Sequence, residues 1–102
     1  MGRIIILIVL GVVIVIIGVS NIRGNISSIH WYNRRKVSEA DAPKYGKCMG
    51  TGGIIIGGSL VVTALCEMVF QTEVVDYIGM IGLIIGVIIM LYGQIKYNKG
   101  IF

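Results

Sequence analysis

Charge is scarce in this chain. Only 14% of its 102 residues are Asp, Glu, Lys or Arg, where a water-soluble domain carries about a quarter. The shortage comes from three long apolar runs, Ile4–Ile22, Cys48–Phe70 and Tyr77–Ile95, and what remains is too short for a separate soluble domain. One histidine and two cysteines offer no metal-ligand spacing, so no metal and no cofactor is expected. Cys48 and Cys66 lie eighteen residues apart on one expected helix, about 27 Å along its axis. A disulfide needs Cα atoms within about 7 Å, so an intramolecular bridge is excluded; an intermolecular one through Cys66 stays open. Gly50-Thr51-Gly52-Gly53 begins like a dinucleotide-binding turn, but Ile55 stands where the third glycine belongs and no strand precedes it. No nucleophile is paired with a base, so the chain does not read as an enzyme.

What is present is hydrocarbon of bilayer length. Cys48 to Cys66 is free of charge for nineteen residues, about 28 Å as a helix and enough for the core of a membrane. The expected fold class is an all-α integral membrane protein of three transmembrane helices with antiparallel neighbours. The expected layout is a first helix over about 4–22, a loop 23–47, a second helix over about 48–70, a short turn 71–76, a third helix over about 77–95 and a tail 96–102. A cleaved signal peptide is the alternative for the first run. It is disfavoured because the run is long, no A-x-A-like site follows and a basic loop comes next.

Glycines recur along these runs at helical spacing. Gly50, Gly53, Gly57, Leu60, Ala64, Glu67 and Gln71 alternate at intervals of three and four, which places them on one stripe of a helix. The third run repeats the pattern with Gly79, Gly82, Gly86 and Gly93, and Gly11 and Gly18 sit seven apart in the first. In water such glycine density argues against helix. In lipid the backbone must bond to itself, so helices persist and their glycines admit close neighbours. These positions are expected to be packing seams, with Leu60 and Ile89 filling the hollows between the second and third helices and a seven-residue period implying left-handed crossing.

Basic residues divide unevenly. Eight of the nine lie in the first loop or the C-terminal tail, and the connection from Glu67 to Asp76 holds three acids and no base. The positive-inside rule then places the loop and the C-terminus in the cytoplasm and the N-terminus outside, with Arg3 the one dissenting charge. The net charge of +4 is accordingly read as a membrane signal and not as a nucleic-acid footprint. Trp31, Tyr32, Arg34, Arg35 and Lys36 read as an interfacial group on the anionic inner leaflet, and Lys96 and Lys99 as the matching anchors of the third helix. Ser38 reads as the N-cap of a short helical turn, though an ordinary solvated loop fits equally.

The loop from Tyr32-Asn33 through Ser38-Glu39-x-Asp41 to Tyr45-x-Lys47-Cys48-Met49-Gly50, the glycine-rich second run and the closing Lys96-Tyr97-Asn98-Lys99-Gly100-Ile101-Phe102 together resemble a family of small three-helix bacterial membrane proteins, mostly Gram-positive, defined only as a domain of unknown function. The resemblance implies three spans in a bacterial plasma membrane and carries no catalytic or binding residues.

Two functions fit the residues. One is a non-catalytic module, such as an accessory subunit or immunity-type protein, that associates laterally with another membrane protein or with itself. The other is an oligomeric ion or proton pore or carrier using Glu67, the one ionisable residue that falls near membrane depth. The charge pattern makes the orientation testable: cysteines placed at Lys36 and Lys99 should react with an impermeant thiol reagent only after the cells are opened, and labelling of intact cells would reverse the topology.

Overall fold

The computed structural model describes residues 2–24 and 37–99. They form an all-α, three-helix fold: α1, Gly2–Ile22; α2, Ala42–Phe70; and α3, Asp76–Tyr97, with a single 3-10 turn, Glu73–Val75, between the last two. All three helices are long and apolar enough to cross a membrane.

Every helix runs past the apolar limits that the sequence suggests, α2 most of all. It begins at Ala42, six residues before Cys48, so its first two turns carry Lys44 and Lys47. Charge marks where hydrocarbon ends, but backbone hydrogen bonding decides where a helix ends, and lysine stems tolerate the boundary by reaching out to the head groups. The lead-in uses Ser38, whose Oγ accepts from the Asp41 N–H at 3.2 Å and whose carbonyl accepts from the Ala42 N–H at 2.9 Å. The turn expected at Ser38 is therefore the entrance to α2, with Asp41 at the N-cap and Pro43 in the first turn, where its missing N–H costs nothing. At the other end Gln71 adopts the left-handed conformation (φ 48°), and its N–H bonds to the Glu67 carbonyl. Thr72 caps the 3-10 turn by accepting from Val74. The chain thus reverses within five residues, and α3 returns antiparallel to α2.

Along most of the bundle the interior is lined by backbone rather than by large apolar side chains. Gly11, Gly18, Gly50, Gly52, Gly53, Gly57, Gly82, Gly86 and Gly93 are buried, while large aliphatic side chains such as Ile6, Ile16, Leu65 and Ile88 are about half exposed or more. In water this arrangement would aggregate. In lipid there is no hydrophobic gain in hiding leucine from leucine, so helices associate where small residues let main chains touch.

Two seams result, both on α2. Against α1 the glycines pair reciprocally. A methyl group built on Gly11 would stand 2.6 Å from the Gly57 carbonyl oxygen, and one on Gly57 would stand 2.5 Å from that of Gly11. Gly18 meets Gly50 in the same way, and Gly53 faces Gly18. Against α3, Gly52 and Gly86 oppose each other, each 2.7 Å from the partner carbonyl when a methyl is added. Cys48 lies over Gly93, Ser59 over Gly82, and Thr63 over Gly79. The Ser59 and Thr63 hydroxyls donate to the carbonyls of Ile55 and Ser59 one turn back, so polar atoms in this seam are satisfied within their own helix.

This corrects one expectation. The matching stripes of the second and third runs do not pack on each other, and Leu60 and Ile89 do not fill hollows between them. The Gly50–Gly53–Gly57 stripe faces α1. The α3 glycines meet a second face of α2 built from Cys48, Gly52, Ile56, Ser59 and Thr63. At 100° per residue the two faces are roughly 150° apart, so α2 is central and α1 and α3 flank it.

A leucine at Gly57 or Gly86 must displace backbone. Each variant should lower the thermal midpoint in detergent, at about 2 kcal/mol or more. Gly58→Leu should leave the midpoint unchanged or raise it, because nothing in the chain lies within 4 Å of a methyl built there.

Candidate functional site

The antiparallel layout brings the start of α1, the end of α2 and the start of α3 to one end of the bundle. Arg3 stands there in the first turn of α1. Its Nη1 donates to Glu67 Oε1 at 2.8 Å, and its Nη2 donates to Asp76 Oδ1. One guanidinium therefore ties all three helices together and bridges α1 and α3 across α2. Its five donors in a rigid fork suit two carboxylates in a way an ammonium would not. Glu67 arrives at this place because it continues the Gly57–Leu60–Ala64 stripe, the face of α2 turned to α1. Asp76 arrives because the short connection leaves it at the N-terminus of α3, where a carboxylate also complements the helix dipole.

Arg3, Ile4, Glu67, Gln71, Thr72, Glu73 and Asp76 line a cleft of about 320 Å³ at this end. Three carboxylates against one guanidinium give it a formal charge of −2. The side chains are 54% exposed for Arg3, 40% for Asp76 and 22% for Glu67, so Glu67 is the most withdrawn of the three. Its Oε2 is buried and accepts no hydrogen bond among the described residues. The dissenting Arg3 of the sequence is thus the partner of the acids, and Glu67, singled out alone, is one third of a cluster. Reading charges by loop concealed this, because the partners are 64 and 73 residues apart.

The opposite end carries a buried polar group that sequence reasoning missed. The Tyr45 hydroxyl donates to Gln94 Oε1 at 2.8 Å, and both side chains are buried. Asn21 of α1 and Asn98 at the C-cap of α3 are buried at the same end. Each helix thus contributes polar atoms here, as interhelical hydrogen bonding in membranes favours. The available signal was the amides Asn21 and Gln94, which sit inside or at the edge of apolar runs and need internal partners.

Around this end Arg23, Lys44, Lys47, Lys96 and Lys99 are exposed. Lys96 donates to the Tyr92 hydroxyl at 2.9 Å and lies 5.3 and 5.5 Å from the Tyr92 and Tyr97 ring centres. Trp31, Tyr32, Arg34, Arg35 and Lys36, expected on the head groups, lie outside the described residues. Among the described residues no three His, Cys, Asp or Glu side chains gather to hold a metal, and Cys48 and Cys66 are both free thiols.

Arg3→Ala should let the start of α1 move away from α3. A spin-label pair at Ile4 and Tyr77 should then report a broader and longer distance distribution, which Arg3→Lys should only partly restore. Tyr45→Phe should lower stability by about 1–3 kcal/mol in detergent unfolding, since it removes a donor from a buried acceptor.

Compared with known proteins, the chain matches no protein-family model, no curated sequence and no solved structure.

Proposed function

We propose that this chain is a small, non-catalytic integral membrane protein of the bacterial plasma membrane that works by lateral helix–helix association, as an accessory or immunity-type subunit. The observation that carries this reading is the third face of α2. α1 and α3 occupy two faces and close toward each other on the Leu60 and Glu67 side, where Arg3 joins them. The other side of α2 is left open along Thr51, Gly58, Val62, Leu65 and Val69, residues that share one stripe of the helix. Thr51, Val62, Leu65 and Val69 are exposed, and Gly58 has open space above it. A small residue midway along an uncovered central helix admits the backbone of a further helix, and close main-chain approach is what drives association in lipid. The glycines expected to form seams, such as Gly11, Gly18, Gly57 and Gly86, are by contrast consumed inside the bundle.

The ring of exposed cations supports an inner-leaflet placement for the Lys96 and Lys99 end, on anionic head groups, with the N-terminus outside. Arg3 does not oppose this orientation, because Glu67 and Asp76 neutralise it locally. That same pairing favours association over a pore or carrier: Glu67 is engaged by Arg3 at one end of the bundle rather than lining a path between helices.

A photo-crosslinking residue at Leu65 in native membranes should give a protein adduct of defined mass, either a second copy or another membrane protein. Gly58→Leu should abolish that adduct without lowering the thermal midpoint. Lipid adducts alone from Leu65 would refute the reading.

A further inference from the structure

The Arg3 end has a second feature below its acidic cleft. A groove of about 240 Å³ runs between α1 and α3 over α2, lined by Leu7, Leu60, Thr63, Gly79, Met80 and Leu83. Arg3 and Asp76 form its mouth and also line the cleft, so the two are continuous. From Asp76 to Leu83 the groove descends about 10 Å along α3. The Thr63 hydroxyl on its floor is bonded to the Ser59 carbonyl, which leaves the groove apolar in effect.

We propose that this groove holds the headgroup-proximal half of one acyl chain of a phospholipid whose headgroup ends in a protonated primary amine. The charges at the mouth select the headgroup. Arg3 spends two of its five N–H donors on Glu67 and Asp76, and its half-exposed guanidinium keeps others for a phosphate. Glu73 and Asp76, beside it, accept from an ammonium a few bonds further along the same headgroup. A headgroup that is anionic overall adds charge to a cleft already at −2 and is disfavoured. The acyl chain adds no headgroup selectivity and little affinity of its own, because it leaves one hydrocarbon environment for another. It seats the headgroup at the mouth, so a blocked groove weakens both lipids alike. Discrimination therefore rests on the polar mouth. The site requires only that the helices cross a bilayer, and it is independent of association through Gly58.

The test is native mass spectrometry of the full chain, released from vesicles of equal phosphatidylethanolamine and phosphatidylglycerol. One phosphatidylethanolamine should be retained, about fivefold over phosphatidylglycerol. Glu73→Gln removes one exposed charge and should reduce that preference by about two- to threefold. Met80→Trp fills the groove from an exposed position and should lower retention of both lipids. Both variants should keep the parent thermal midpoint. Equal retention of the two lipids, preference for phosphatidylglycerol, a lipid-free dimer, a preference unchanged by Glu73→Gln, or retention unchanged by Met80→Trp would overturn the proposal.

Discussion

Main chain touching main chain is the constraint on which this molecule depends. At Gly11–Gly57, Gly18–Gly50 and Gly52–Gly86 there is no side chain between two helices, and a single added methyl would fall well inside contact distance of a carbonyl oxygen. The attraction at these points is dispersion between closely packed atoms, which decays steeply with separation. In a bilayer it has no hydrophobic term to support it. The seams therefore tolerate little loosening, and the rest of the architecture holds them in register.

The two polar ends do that work. At one end Arg3 binds a carboxylate from each of the other helices. At the other, Tyr45, Gln94, Asn21 and Asn98 bury polar atoms from all three. Interactions of this kind are directional, whereas glycine contacts permit a helix to slide. A seven-residue shift of α1 along α2 would still set Gly18 against Gly57 and Gly11 against the small Ala64, but it would carry Arg3 about 10 Å from Glu67. The clamps thus select among alignments that the seams alone leave close in energy.

The central position of α2 also decides what the molecule can present. A helix flanked on two sides retains a third, and here that third side has a glycine at its middle. The closed side has a different character, with an apolar trough under a charged mouth. The two sides therefore differ in chemistry, one an apolar stripe with a glycine at its middle and the other an apolar trough opening at Arg3 and Asp76.

The three-helix plan was legible in the sequence because membrane crossing is a one-dimensional requirement: enough uncharged length, with glycines spaced to share a face. The stripe through Gly50, Gly53, Gly57 and Ala64 follows from helical geometry alone, and so does the arrival of Glu67 on the same face. Which helix each stripe meets was decided only in three dimensions. Equivalent glycine spacings in the second and third runs looked complementary, yet the true counterpart of the α3 glycines is a mixed face of Cys48, Gly52, Ser59 and Thr63 that has no simple signature. The Arg3–Glu67–Asp76 clamp and the buried Tyr45–Gln94 bond join residues far apart in the chain, so the pattern marked Arg3, Glu67 and Gln94 as polar groups out of place but did not say which partners they meet. Sequence by itself determined that the chain forms long apolar helices, since backbone groups in hydrocarbon have no other partner. Tertiary structure decided which faces meet and which stay open, because in lipid that choice rests on shape and a few directional bonds rather than on the hydrophobicity a sequence displays.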